Sequence, residues 1–300
     1  MNIVTVAVAL GLLLFSLSAS AKVEVFACEP EWKSLAEVLG GEHVNAFSAT
    51  TAFQDPHYVE ARPSLIAKTR QADLLVCTGA ELEVGWLPLL LRQSGNASIH
   101  ENEPGFFLAA EQVERIEIPT ELDRSQGDVH ASGNPHVHWD PYRLLSIARA
   151  LSERLILIDG DNSDDYQANL RAFETMWQTR IKSWETQAAQ LKGKKAIVYH
   201  KNWSYLMNWL GIEPVGDLEP KPGIPPTSEH LASLLKKVRS TGANAILVAN
   251  YQNDKGAQWL SEKTQVPVIN LPFTVGGSEN ASDLVLLYNE VLMRLTNGVQ

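Results

Sequence analysis

The chain has 300 residues, 45% of them hydrophobic and 20% charged, which excludes a disordered polypeptide and leaves room for two domains of ordinary size. Its formal net charge of −10 argues against a nucleic-acid partner, because an acidic surface is repelled by a phosphate backbone. It suits cations better.

Residues 1–21 read as a secretory signal peptide, with an apolar run from Ile3 to Leu17 and the small residues Ala19, Ser20 and Ala21 before a cleavage expected after Ala21. That run is short for a membrane span, and none is predicted later. The mature chain then opens with a strand at Val23 to Ala27, a helix at Pro30 to Leu39 closed by Gly40-Gly41, and a strand at His43 to Ala49. Pro63 starts a second helix, Asp73 to Cys77 is a third strand, and Glu81 to Arg92 reads as helical. This alternation predicts a parallel sheet flanked by helices, with ligand-bearing loops at the carboxyl ends of its strands. A further strand is expected at Val113 to Ile118.

The only cysteines, Cys28 and Cys77, each end a strand-like run. Adjacent parallel strands would bring them to disulfide distance in an oxidising compartment, and two buried thiols fit equally well. Cys28 as a lipid-modified N-terminus is a lesser alternative, since Lys22 and Glu24 interrupt the apolar run before it.

Asp140-Pro141 begins a helix whose Leu144, Leu145, Ala148 and Leu151 share one face. The polar turn DGDNSDD at 159–165 introduces the longest helical run, from about Asp165 to Lys192, with Leu170, Phe173, Trp177, Ile181 and Trp184 at helical spacing. At ~1.5 Å per residue it would be roughly 40 Å long, a rigid strut between two lobes. A second alternating half follows, with strands at Lys195 to Tyr199, Glu213 to Asp217, Ala245 to Ala249 and Val266 to Asn270, and helices between and after them. The last helix is expected from Ala281 to about Leu295. Residues 219–226, EPKPGIPP, carry proline at four of eight positions and read as a stiff connector on a cleft wall. The organisation implied is a signal peptide at 1–21, a first lobe at 22–158, a linking helix at 159–193 and a second lobe at 194–300.

The segment Gly127 to Pro141, GDVHASGNPHVHWDP, holds His130, His136 and His138, three of the chain's eight histidines. Gly133 and Pro135 exclude an uninterrupted helix, so the loop presents side chains instead of packing a core. His57 in QDPHYVEARPS and His200 in VYHKNWSY each follow a predicted strand end. Alone, either reads as structural; together with the NPHVH loop, His57, His136 and His200 read as metal ligands, because a zinc site gathers three or four such donors. His138, two residues beyond His136, would point to the opposite side of an extended loop. His130 reads as a solvated flank able to capture ions transiently, and His43, His100 and His230 as structural or surface residues. Asp55 and Glu60 flank His57 and would orient its imidazole, while Trp203 and Tyr205 would shield the metal.

These motifs in this order resemble the solute-binding receptors of bacterial zinc and manganese ABC importers, the cluster A-I metal receptors. The resemblance rests on DPH before Pro63-Ser64, NPH before Asp140-Pro141, a strand ending at His200, EPKPGIPPT at 219–227 and LPFTVGG at 271–277. It covers essentially the whole mature chain and looks like the zinc-type branch. It implies a two-lobed α/β protein with one ion in the cleft, His57 and His136 from the first lobe and His200 from the second. Its partners would be an ABC permease in the inner membrane and a periplasmic metallochaperone, with the protein itself a periplasmic monomer. Many such receptors supply a carboxylate after the last strand, where this chain has Phe273-Thr274-Val275-Gly276. The fourth donor is open among Asp283, a water, His138 and His130.

Neutral imidazoles favour Zn2+, and Mn2+ would want more carboxylate. The function expected is capture of a divalent transition metal, zinc foremost, and delivery to the permease. A secreted zinc hydrolase is the alternative in a second class, but the chain has no HExxH and no GxSxG. A metal-binding surface adhesin is a third.

Overall fold

The structure is a computed structural model that describes residues 21–120, 127 and 130–299; residues 1–20 of the expected signal peptide lie outside them. The first half runs β1 (Val23–Ala27), α1 (Pro30–Gly40), β2 (Val44–Ser48), α2 (Pro63–Gln71), β3 (Leu74–Cys77), α3 (Leu87–Ser94) and β4 (Phe106–Leu108). α4 (Pro141–Ile158) and the long α5 (Ser163–Ala188) follow. The second half runs β5 (Lys195–Val198), α6 (Ser204–Leu210), β6 (Glu213–Asp217), α7 (Ser228–Thr241), β7 (Ala245–Ala249), α8 (Lys255–Thr264), β8 (Val268–Leu271) and α9 (Leu284–Gly298).

The strands form two four-stranded sheets with the same order, β2-β1-β3-β4 and β6-β5-β7-β8, and every pairing is parallel. Runs such as LLVC in β3 and AILVA in β7 are buried throughout, as strands covered on both faces must be. In each sheet the chain leaves the first strand toward one edge and returns to the other side. The carboxyl ends flanking β1 and β5 are therefore topological switch points, where open α/β sheets bind ligands.

One buried cluster is continuous across both halves, from Val25 and Trp32 through Leu144, Trp177 and Trp184 to Leu206, Leu247 and Tyr288. Separate clusters cover the outer faces, one around Phe26, Leu65 and Trp86 and one around Ile197, Leu234 and Leu260. α5 is thus more than a strut. Its indoles donate to Pro141 O at the start of α4 (Trp177 Nε1, 2.9 Å) and to Asn289 Oδ1 on α9 (Trp184 Nε1, 2.7 Å). Asn169 Nδ2 donates to Leu39 O at the end of α1, so the helix is fastened along its length.

Two local expectations are corrected. The strand expected at Val113 to Ile118 is absent, and β4 forms at Phe106–Leu108 instead. Gly105 permits this, since a Cβ there would lie 2.3 Å from Ser98 O and 2.5 Å from Asp73 O. Segment 113–118 is turned aside at Glu117, whose φ is +56°, and it bonds to the histidine loop through Asn134 N and Ile116 O. The helix expected from Glu81 begins only at Leu87, because Ala80 and Glu81 take left-handed φ of 47° and 65°.

Cys28 and Cys77 are joined as a disulfide between the ends of β1 and β3, with Cα atoms 4.7 Å apart. That removes Cys28 as a lipid attachment point. Among the described residues no helix is long and apolar enough to cross a membrane.

Candidate metal centre

His57 stands in the loop after β2. Asp55 Oδ1 accepts from His57 N (3.0 Å) and lies 2.7 Å from its Nδ1, while Trp86 Nε1 donates to Pro56 O behind it (2.9 Å). His200 lies two residues past the end of β5, and its Nδ1 lies 2.7 Å from Glu219 Oε2. A carboxylate can only accept, so both rings carry the proton on Nδ1 and turn the Nε2 lone pair inward. Burial pushes the Asp55 carboxyl upward, but the bond to His57 and the neighbouring imidazole charges outweigh it and leave the carboxyl below its ordinary range.

His136 precedes the single turn Val137–Trp139 ahead of α4. Its N–H donates to Asn134 Oδ1 (3.0 Å), and Asn134 Nδ2 donates to Lys201 O (2.7 Å), tying this loop to the His200 loop. The imidazole is 1% exposed, and neither of its ring nitrogens has a hydrogen-bond partner. Burial holds its pKa well below the usual value, reinforced by His200, His57, His130 and His138. A neutral, buried, unsatisfied imidazole is costly unless something else takes its lone pair.

The three rings converge. Their centroids are 5.7 Å (His57–His136), 5.4 Å (His57–His200) and 5.7 Å (His136–His200) apart, and one nitrogen from each lies within 4.8 Å of the others. Tetrahedral zinc with bonds of about 2.0–2.1 Å needs nitrogens roughly 3.4 Å apart, so a small inward shift completes the set. A cavity of about 260 Å³, lined by Asp55, His57, Tyr58, His200, Glu219 and Tyr251 among others, opens beside them.

Of the residues left open as a fourth donor, two are removed. His138 faces away, with Nε2 3.3 Å from Phe273 O and Nδ1 3.3 Å from Glu31 Oε1, and burial lowers its pKa. Asp283 caps α9, accepting from Leu286 N (2.8 Å). His130 stays close, its Nε2 3.2 Å from His57 Nε2. After the last strand, the Phe273 ring stands T-shaped to His136 with centroids 5.5 Å apart. Trp203 is fully buried behind it, packed on Trp139 and Phe273. Asp55, and not Glu60, holds His57. His43 and His230 are engaged elsewhere, with Asp165 and with Asp217 O. Glu219 was hidden in a proline-rich stretch that reads as a connector; its position two residues past β6, the strand beside β5, was the available signal.

The family model for ZnuA, the periplasmic zinc-uptake complex component A, matches residues 25–298. The chain belongs to the ZnuA family. The manganese ABC transporter substrate-binding lipoprotein ScaA of Streptococcus gordonii is 25% identical over 268 residues, 89% of this chain and 84% of that one. PsaA of Streptococcus pneumoniae, also named for manganese, is 26% identical over 86% of this chain and 82% of its own. A crystal structure of ZnuA matches with a TM-score of 0.77 at 20% identity, covering 93% of this chain and all of that one. A manganese-bound periplasmic metal binding protein from Candidatus Liberibacter asiaticus matches at 0.74 and 15% identity, over 91% of this chain and 98% of that one. At such identities the structures share the fold alone. Membership in the ZnuA family makes the chain an exported substrate-binding component of metal ABC transport, and a binding protein instead of an enzyme. The hydrolase alternative falls with it.

Proposed function

We propose that this protein binds Zn2+ in the periplasm through His57, His136 and His200 and hands it to an ABC permease. The observation that carries the reading is the convergence of three imidazoles, one of them buried with both nitrogens unpartnered. Relatives are named for zinc and for manganese, so the choice of metal rests on this chain's own donors. Its nearby carboxylates, Asp55 and Glu219, are spent on the outer nitrogens of His57 and His200, and the remaining wall is Phe273. A nitrogen set of this kind suits zinc, while manganese favours oxygen.

In this reading the lobes are 22–158 and 194–300, each side of 159–193, in a monomer released from its signal peptide after Ala21. His57 and His136 bind from one lobe and His200 from the other. Because α5 is fastened to both, the cycle of capture and release uses small loop and side-chain movements. Metal analysis and competitive zinc titration of the mature protein test the assignment. One tightly held zinc per chain is expected, preferred over manganese, and lost or greatly weakened in His57→Ala, His136→Ala and His200→Ala. Unchanged zinc binding in all three variants would overturn it.

A further inference from the structure

At His136 the centre is walled by the edge of Phe273, but at His57 the neighbour is a fourth imidazole. We propose that His130 is the fourth metal donor, and that it makes the site select metals that accept an all-nitrogen tetrahedral set. This rests on the reading of His57, His136 and His200 as ligands.

Distance is the first argument. His130 Nε2 lies 3.2 Å from His57 Nε2, with ring centroids 5.3 Å apart. Two nitrogens bound to one tetrahedral zinc at about 2.0–2.1 Å stand roughly 3.4 Å from each other, so the pair is already spaced as two ligands of one ion. His57 Nδ1 donates to Asp55, which leaves the nitrogen facing His130 with its lone pair. The nitrogens that already lie within 4.8 Å of one another are those of His57, His136 and His200; His130 meets His57 alone, so joining the set requires its ring to turn toward His136 and His200.

The second argument is how His130 is held. Two residues on, Ser132 donates through N (3.1 Å) and Oγ (3.0 Å) to the Glu81 carboxylate, and Arg115 Nε donates to Ser132 O. Gly133 N donates to His130 O, closing a tight turn. Three residues before, Gly127 lies against the second half of the chain. A Cβ there would come 2.4 Å from Pro222 O, and its φ is +85°, so only glycine permits the approach. Pro222 belongs to the stretch that begins with Glu219, the partner of His200. Ser132 is thus anchored on the turn after β3 and Gly127 on the stretch that holds Glu219.

Chemistry is the third. A carboxylate would give a manganese ion the hard oxygen it favours, whereas a fourth imidazole tightens zinc and leaves manganese poorly served. The segment after the last strand, Phe273-Thr274-Val275-Gly276, offers no carboxylate, and His130 approaches from a different loop.

The test uses the mature chain, zinc competition against a chelator, and cobalt(II) as a spectroscopic probe. His130→Ala should keep one zinc per chain but lose affinity by at least about tenfold, as removing even an outer partner of a ligand does. Its cobalt visible bands should also shift and weaken as a water oxygen replaces a nitrogen. His130→Asp should regain a donor and move the zinc-to-manganese preference toward manganese. Unaltered affinity and an unaltered cobalt spectrum in His130→Ala would remove His130 from the site. If that happens while His57→Ala, His136→Ala and His200→Ala abolish binding, only the fourth donor is lost. If those three variants also bind normally, the reading beneath it goes too.

Discussion

On the proposed reading, two carboxylates bonded to the outer nitrogens of the imidazoles tune how well the centre binds. Asp55 and Glu219 fix the tautomer of His57 and His200 and raise the basicity of the inward nitrogens. Replacing either by alanine should cost about 10–100-fold in zinc affinity while leaving the fold intact. Glu219→Gln should fall in between, since an amide oxygen still accepts but polarises the ring less. Competition titration reads this, and equal affinities for wild type and Glu219→Ala would show that the contact merely fills space. The histidines themselves were legible in the sequence because their chemistry is rare and their loop positions follow strand ends. Of their supporting acids, Asp55 was legible two residues from His57, while Glu219, nineteen residues beyond His200, was not, because it becomes a neighbour only when β5 and β6 pair.

The turn between β3 and α3 is where a loop is held against its own preference. Glu83 accepts from Thr78 N (2.7 Å) and Gly79 N (3.0 Å), and Glu29 accepts from Thr78 Oγ1 (3.0 Å). Burial pushes the Glu83 carboxyl up to about 7. Burial, then the charges of Glu83 and Glu31, lift Glu29 well above the ordinary carboxylate range. Both acids therefore hold a proton more tightly folded than unfolded. Their contribution to stability is complete below their unfolded pKa and is lost as pH rises, for Glu83 through about 7. His136, whose pKa is depressed, works in the opposite sense: its contribution is present above the unfolded histidine value and fades on acidification. The difference between wild type and Glu83→Gln isolates the acid. Relative to the variant, wild type should lose thermal stability as pH rises through neutrality, and parallel pH profiles would contradict the buried-pair account. The same turn carries the disulfide. Cys28 and Cys77 are 49 residues apart and fully buried, so replacing both by serine should cost about 2–4 kcal/mol in denaturant melts. Strand and helix periodicity was readable here, but left-handed Ala80 and Glu81 were not, because nothing local demands that conformation. It is held by Glu83 and Trp86 later in the same turn and by Ser132 from the histidine loop.

At the scale of the molecule, the two sheets look like separable halves and are not. The long helix was legible from its apolar spacing and its polar start, and so were two alternating halves. What spacing could not show is that α5 packs on α1, α4 and α9 through one aromatic column. In it Phe173 stacks on Trp177 (5.2 Å), Trp177 meets Trp184 (5.0 Å), Trp184 stacks on Tyr288 (4.8 Å), and Tyr288 reaches Trp139 (5.6 Å). Tyr288 OH also donates to His138 O, two residues from His136. A core shared in this way makes unfolding cooperative, since neither half can open without exposing indoles that the other buries. Trp184→Ala, on α5 and hydrogen-bonded to α9, should therefore cost about 3–5 kcal/mol and lower a single transition, not one of two. Far-UV circular dichroism and tryptophan fluorescence should give coincident urea curves in wild type and variant alike. On the proposed reading, in which the ion bridges both halves of one cooperative unit, saturating zinc should displace the whole curve, by about 2.7 kcal/mol at a hundredfold excess over Kd. Two resolved transitions, with zinc moving only one, would mean that the lobes fold independently and that α5 joins them without making them one.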